Sequence, residues 1–392
     1  MWDANMSIAL TGATIFNGQT FVENHAVVIA DQHIIGVSPN QELNPDITTV
    51  NLSGGILAPG FIDIQVNGGG GVMLNNSPTV DAVNAIVSGH RATGTTGMMP
   101  TLISDTAEVQ RAGVEAVAAA KAAGNRGILG VHIEGPFFSL AKRGAHSARM
   151  IRPMTQQDID WLCSLSDLQT IITLAPEQTQ PGQIRQLSDA GLRVFAGHTN
   201  ANYDQIGAAI DEGLTGFTHL YNAMSHLTGR APGTVGAALD SEHTFIGIIV
   251  DGHHVHPASI RIAQRAKSPG KLLLVTDAMA TVGSSQSSFD IYGETIKVSQ
   301  GRLINSDGAL AGSAIGMIDA VRTATNLVGL PLAETLRMAS LYPATLLGRD
   351  KELGRLEPGY RADVVHFDQN FQVQRTWVAG QHQSHSSASS VN

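Results

Sequence analysis

The sequence predicts an α/β fold, a (β/α)8 TIM barrel with a small β-sandwich domain formed by both chain ends. Three observations predict it. From Gly55 onward, apolar runs of four to eight residues alternate with helical patterns, which is how parallel βαβ units read. Eight such runs occur, the number of strands in a TIM barrel. Short alternating segments divided by turns occur before the first run and return only after the last helical pattern.

The elements follow in order. Residues 8–56 read as a small antiparallel module: Ala9-Leu10-Thr11-Gly12, then Thr14-Ile15-Phe16 before Asn17-Gly18, then Ala26-Val27-Val28-Ile29-Ala30 before Asp31-Gln32. Barrel strands are expected at Gly60–Gln65, Gly97–Leu102, Gly127–Glu134, Thr170–Pro176, Arg193–His198, Gly216–Tyr221, Phe245–Asp251 and Lys271–Asp277. Between them, Val80, Val83, Ile86 and Val87 recur at helical spacing, Thr155-Gln156-Gln157-Asp158 reads as a capping box, and Pro257–Ala266 reads as a helix. A last helix is expected over Ala333–Leu347, then strands at Ala362–Phe367 and Val373–Val378 that complete the N-terminal module. The domains are thus 1–56 with 355–383 for the sandwich, 57–354 for the barrel and 384–392 for a flexible tail. The polar stretch from Gln381 lacks periodicity and is expected to fray, leaving His382 and His385 solvated.

Composition narrows the function. Apolar residues make up 43% and charged residues 15%, enough apolar content for a large buried interior. A net charge of −9 argues against a nucleic-acid surface, which needs clustered Lys and Arg, but leaves room for a small anionic ligand. The single cysteine, Cys163, allows no intramolecular disulfide and reads as a core thiol. The segment MWDANMSIALTG has no basic region followed by a long apolar run, and no window approaches about eighteen uninterrupted apolar residues. A cytoplasmic protein without membrane contact is the expectation.

Barrel active sites lie at the C-terminal strand ends, so the polar residues there are informative. Strand one ends in Gln65-Val66-Asn67, strand three in His132-Ile133-Glu134, strand five in Gly197-His198, strand six in Thr218-His219 and strand eight in Thr276-Asp277. Two imidazoles and a carboxylate, His198, His219 and Glu134, form a ligand set for Zn²⁺ or a similar ion that leaves a position open for water. Asp277 then stands nearby as a candidate base. Any one strand-end histidine reads more readily as a hydrogen-bonded core residue, and Asp277 alone reads as a helix cap before Ala278-Met279. The coincidence of four such residues, from four strands at one end, carries the metal reading.

The strings PGFIDIQVNGGGG, HIEGPFF, KRGAH, AGHT, THLYNAM, TGRAPG, DGHHVHP and VTDAMA, in this order across nearly the whole chain, resemble the N-acetylglucosamine-6-phosphate deacetylases of the amidohydrolase superfamily. The resemblance implies a homodimer with one divalent metal per chain, Zn²⁺ foremost and Fe²⁺, Mn²⁺ or Co²⁺ as alternatives, on Glu134, His198 and His219. It implies Asp277 as acid and base, His146 beside the substrate carbonyl, and Ala145, Asn222, Ala223, Arg230 and His254 as substrate-binding residues. Arg230 and His254 are expected to bind the phosphate, a pair that the family sometimes supplies from the neighbouring subunit, so that the pocket is completed in the dimer. Of His253, His254 and His256, residue pattern alone selects none, and alignment with the family's DGxHV pattern selects His254. Most amidohydrolases place His-x-His where this chain has Gln65 and Asn67; an amide is a poorer ligand, so a second metal position is expected to be weak or empty. Gly68–Gly71 lacks the lysine and spacing of a phosphate-binding loop.

The expected reaction is hydrolysis of the acetamide of N-acetyl-D-glucosamine 6-phosphate to D-glucosamine 6-phosphate and acetate, in amino-sugar catabolism. A divalent ion lowers the pKa of water from about 15.7 towards 7, and Asp277 accepts the remaining proton before returning it to the amine. The galacto epimer is the nearest rival substrate. A cyclic-amide hydrolase would call for paired metals and a bridging lysine, which the missing His-x-His opposes. An inactive barrel serving in assembly is the non-enzyme alternative, opposed by the intact set Glu134, His198, His219 and Asp277.

Overall fold

Val, Ile and Leu dominate the eight runs between Phe61 and Val275, and nearly every residue in them is buried, as parallel strands covered on both faces require. In the computed structural model, which describes residues 7–385, they form one eight-stranded sheet whose neighbours follow chain order. The strands are Phe61–Val66, Thr95–Ile103, Val131–Glu134, Thr170–Leu174, Arg193–Ala196, Leu214–Phe217, Phe245–Ile249 and Leu272–Val275. Ladders from strand two to strand eight are parallel. A parallel bridge between Val66 and Ala278, with the Asp277 N–H donating to the Gln65 carbonyl at 3.0 Å, joins the sheet's two ends at the rim.

Local chemistry sets the helices. Thr155 caps Gln156–Cys163 in a capping box with Asp158, whose carboxylate also takes a bidentate pair from Arg152 at 2.6 and 2.7 Å. Pro257 starts Pro257–Ala266, with the His256 imidazole accepting from the Ala258 N–H at its N-cap. The single helix expected over Ala333–Leu347 is two, Leu332–Ala339 and Leu341–Leu346. The break falls at Ser340, φ −137°, and Pro343 lacks the N–H that would carry the helix across it. Cys163 is partly exposed rather than in the core, because it ends a short helix; its Sγ faces the Gln186 carbonyl at 3.7 Å.

One element was absent from the expected layout. After strand eight, Ser288–Ile291, Glu294–Ser299 and Arg302–Ile304 form a three-stranded antiparallel flap. Its two-residue turns, Tyr292-Gly293 and Gln300-Gly301, have positive φ at both positions, which is type I′ geometry and matches strand twist. The sequence does carry this signal: residue-glycine pairs interrupt an alternating Phe289, Ile291, Ile296, Val298 pattern. Phe289, Ile291, Ile296 and Leu303 pack with Met73, Ile103 and Met279.

The chain divides into two compact units, one with the residues up to 63, 90–97 and those from 316 on, the other with 64–89 and 98–315. The divisions expected near 57 and 354 both fall inside the first. There, Ile56–Pro59 pairs antiparallel with Val364–Phe367 and parallel with Thr14–Phe16, in a six-stranded sheet drawn from both chain ends. A four-stranded sheet of His33–Pro39, His25–Ala30, Ser7–Thr11 and Thr48–Asn51 shares its core, where Leu10, Val27 and Ile34 meet Leu57, Val364 and Trp377.

The expected fraying from Gln381 does not occur over the described part. Gln381–Ser384 is a strand paired with Val373–Val378, His382 lies over Trp377 with ring centroids 5.1 Å apart, and His385 Nε2 meets Thr376 Oγ1 at 2.9 Å. A polar edge strand needs no apolar periodicity when its ladder and one aromatic contact hold it. The remaining tail residues lie outside the described ones. Among the described residues no helix is long and apolar enough to cross a membrane. Removing the residues from Gln381 onward should lower the melting temperature by several degrees, measured by scanning calorimetry, because the Trp377 edge loses its partner; an unchanged melting point would contradict that role for the strand.

Candidate active site

Three site residues stand at the same structural address. His198, His219 and Asp277 each lie two positions beyond the last residue of their strand, Ala196, Phe217 and Val275. Each has positive φ, +49°, +36° and +52°. Left-handed backbone in a non-glycine residue costs of order 1–3 kcal/mol, so its repetition at three strand ends marks a constraint that the surrounding fold sustains. Glu134 differs, as the last residue of its own strand.

These residues converge. Glu134 Oε1 lies 3.4 Å from His198 Nε2 and 3.2 Å from His219 Nε2, and the two Nε2 atoms are 3.0 Å apart. Glu134, His198 and His219 are the one group of three or more His, Cys, Asp or Glu among the described residues with ligand atoms close enough to hold an ion, all within 4.8 Å. Ligands about 2.0–2.1 Å from a tetrahedral ion are separated by about 3.3–3.4 Å, so the spacing fits a divalent cation. The orientation fits as well. His198 Nδ1–H donates to the Lys142 carbonyl at 2.9 Å, which leaves Nε2 as a lone pair aimed at the group.

Electrostatics follow from burial. Burial raises the Glu134 carboxyl, but both imidazoles more than offset it and hold it well below the usual carboxylate range. Burial lowers His198. It also pulls His219 down, but the hydrogen bond to Glu134, with the charges of Glu134 and Asp277, brings that imidazole above its ordinary value. Asp277 is pushed up to about 6 by burial and by the charge of Glu134. Two amides hold these carboxylates: Gln65 Nε2 donates to Glu134 Oε1 at 3.0 Å and Asp277 Oδ1 at 3.2 Å, and Asn67 Nδ2 donates to Asp277 Oδ1 at 2.6 Å.

A cavity of about 200 Å³ opens onto this group. Of the residues singled out in the sequence, Glu134, Ala145, His146, His198, His219, Asn222, Ala223, His254 and Asp277 line it. Arg230 does not; it is exposed, on the loop between strand six and the helix Gly233–Asp240. Gln65 and Asn67 sit behind the carboxylates rather than on the cavity wall.

Ser104 and Asp251, neither of them given a role from the sequence, orient the remaining imidazoles. Ser104, one position past strand two, donates its N–H to His146 Nδ1 at 3.2 Å and brings Oγ to 2.8 Å from the same atom. Nδ1 is therefore an acceptor, and Nε2 carries the proton. Burial, then the neighbouring His198, holds His146 well below its usual pKa, so it is a neutral N–H donor. Asp251, two past strand seven, accepts the His253 and His254 N–H groups at 2.8 and 2.9 Å on Oδ1 and pairs Oδ2 with His254 Nδ1 at 2.6 Å. Burial raises this carboxylate, yet the His254 contacts bring it down to about 2. Of the three neighbouring histidines, His254 alone lines the cavity; His253 is exposed and His256 caps a helix. The flap adds Phe289, Ile291 and Ile296 to the wall. Ser104 carries no motif of its own and only its place near a strand end hinted at it, whereas Asp251 opens the DGxHV pattern that singled out His254 without being given a role there.

Comparison with known proteins bears on what this cavity does. The amidohydrolase family model matches residues 56–382, and the NagA composite domain model matches residues 8–57. An N-acetylgalactosamine-6-phosphate deacetylase of Shewanella sp. (strain ANA-3) is 42% identical over 374 residues, covering 94% of each chain. An N-acetylglucosamine-6-phosphate deacetylase of Haemophilus influenzae is 37% identical over 378 residues, 96% of this chain and 99% of that one. The crystal structure of N-acetylglucosamine-6-phosphate deacetylase from Pasteurella multocida superposes with a TM-score of 0.94 at 37% identity, covering 97% of this chain and all of the other. Changing His198→Ala removes one converging lone pair, and the dialysed protein should then retain less than about a tenth of its metal by elemental analysis; full metal content in a folded variant would exclude His198 as a ligand.

Proposed function

The chain belongs to the amidohydrolase family, whose members are metal-dependent hydrolases, and from this we propose that it removes the acetyl group from N-acetyl-D-glucosamine 6-phosphate. The products are D-glucosamine 6-phosphate and acetate, and the place of the reaction is amino-sugar catabolism. One observation carries the reading: the converging group Glu134, His198 and His219 shares a single cavity with a part-buried Asp277 whose carboxyl is held near 6.

Glu134, His198 and His219 hold one divalent ion per chain, zinc foremost, since two imidazoles and a carboxylate suit a borderline cation. When bound, the ion supplies Lewis acidity that makes water nucleophilic near neutral pH and polarises the acetyl carbonyl. A second ion is disfavoured, because Gln65 and Asn67 turn N–H donors towards the carboxylates where a second cation would need acceptors.

The chain's own groups divide the remaining work. Asp277 takes the proton of the attacking water, then passes it to the amine nitrogen as the C–N bond breaks. A carboxyl held near 6 suits both transfers, and Asn67 and Gln65 keep it aimed while it does so. His146, a neutral Nε2–H donor, stabilises negative charge growing on the carbonyl oxygen.

The sugar phosphate is held by Ala145, Asn222, Ala223 and His254. Positive φ at His219, Tyr221 and Ala223 alternates along this segment, which carries Asn222 and Ala223 to the cavity wall. Arg230, exposed and off this cavity, is read as serving the pocket of a second copy in a homodimer, whereas His254, expected to act across the interface with it, lines this chain's own cavity. A phosphorylated metabolite and a single unpaired cysteine suit a cytoplasmic enzyme.

The galacto epimer is the second reading. It is favoured by the 42% identical Shewanella relative, which carries that name. Turning one hydroxyl changes pocket contacts and no catalytic group. Acetate release from the two 6-phosphates, measured side by side at equal enzyme, decides it: a higher kcat/KM for the gluco sugar is expected, and the reverse order would replace it as the substrate. Asp277→Asn should keep its metal and lose turnover by about 10²- to 10⁴-fold in kcat, the usual range for a general acid-base group; near-normal turnover would remove Asp277 from that role.

A further inference from the structure

Turn chemistry does not account for Tyr292. It is the first central residue of the flap's Tyr292-Gly293 turn, with φ +55°, a position where Asn, Asp and Gly are favoured and a bulky ring is uncommon. Its ring packs against the apolar cluster beneath the flap, while its hydroxyl leaves the flap and donates to the Ser104 carbonyl. The Ser147 backbone N–H lies near the same hydroxyl.

Both contacts lead to one imidazole. Ser104 holds His146 Nδ1 through its N–H and Oγ, and Ser147 follows His146 in the chain. His146 has no regular element to fix it, since it lies in the irregular stretch between the turn Leu140–Lys142 and the helix Gln156–Cys163. A hydrogen-bond donor aimed at developing charge is useful only when its position is held to within a few tenths of an ångström, so the anchoring has to come from elsewhere. The Tyr292 hydroxyl supplies it by holding Ser104, the residue past strand two whose N–H and Oγ fix the imidazole.

We propose that Tyr292 is a positioning residue for His146, so that seating the flap over the cavity and aiming the Nε2–H donor are one event. Phe289, Ile291 and Ile296 of the flap line the cavity that His146 faces, so substrate beneath the flap and the aimed donor come together. Left-handed backbone at a tyrosine is then strain retained for the contact. The inference rests on the reading of His146 as the donor to the substrate carbonyl.

A double-mutant cycle on the metal-loaded full chain tests it, with N-acetyl-D-glucosamine 6-phosphate as substrate. The cycle compares wild type, Tyr292→Phe, His146→Ala and the double variant. Loss of one supporting hydrogen bond should lower kcat in Tyr292→Phe by about three- to tenfold, with KM within about twofold and metal content unchanged. In the His146→Ala background the same change should cost nothing further. Equal losses in both backgrounds, or a raised KM at unchanged kcat, would make Tyr292 an ordinary part of the flap and overturn the proposal. Near-normal kcat in His146→Ala would sink both the proposal and the reading of His146, and is told apart from the other failures because it needs no Tyr292 variant. Tyr292→Asn gives an independent check: it suits the turn, so full turnover in that variant would also overturn the proposal, whereas a kcat loss like that of the Phe variant supports it.

Discussion

A carboxylate that is 2% exposed, with its Oε1 within 3.4 Å of two imidazole nitrogens and 3.0 Å of an amide N–H, sets the terms for the rest of this barrel mouth. Leaving such a charge without partners would cost several kcal/mol, so Glu134 has to be surrounded by groups that answer it. His198, His219 and Gln65 do so, and their arrangement is also what a divalent ion requires. The same charge reaches Asp277 and, together with burial, lifts it to about 6, within reach of proton transfer near neutral pH. One buried charge therefore links the converging group Glu134, His198 and His219 to Asp277.

The second constraint is which ring nitrogen each imidazole offers. His198 gives its Nδ1–H to a backbone carbonyl and keeps Nε2 as a lone pair. His146 receives a backbone N–H at Nδ1 and keeps Nε2–H as a donor. Two histidines 4.4 Å apart between ring centroids thus take opposite chemical roles, and the residues behind them make the difference. Asp251 plays the corresponding part for His254. The flap joins this scheme because Tyr292 and His146 share Ser104 as a neighbour.

Most of the barrel was legible because its strands are doubly buried and read as apolar runs, and because five of the eight runs end in polar residues that the fold carries to one rim. The flap was not read, since its alternating pattern is short and its type I′ turns use Tyr-Gly and Gln-Gly rather than the favoured Asn-Gly. Edge strand Gln381–Ser384 escaped for a related reason: its support is cross-strand and leaves no apolar signature of its own. The break at Ser340 shows the limit of periodicity, which continues across a residue where the backbone does not.

The sequence by itself determined which chemical groups stand at the strand ends, because alternation of strand and helix leaves little freedom in where Glu134, His198, His219 and Asp277 can go. Only the tertiary structure decided how those groups are wired. Ser104 reaches His146 across 42 residues, Gln65 reaches Glu134 across 69 and Asp277 across 212. Hydrogen bonds over such separations depend on how the closed barrel brings its strand ends together, and no local pattern in the chain records them.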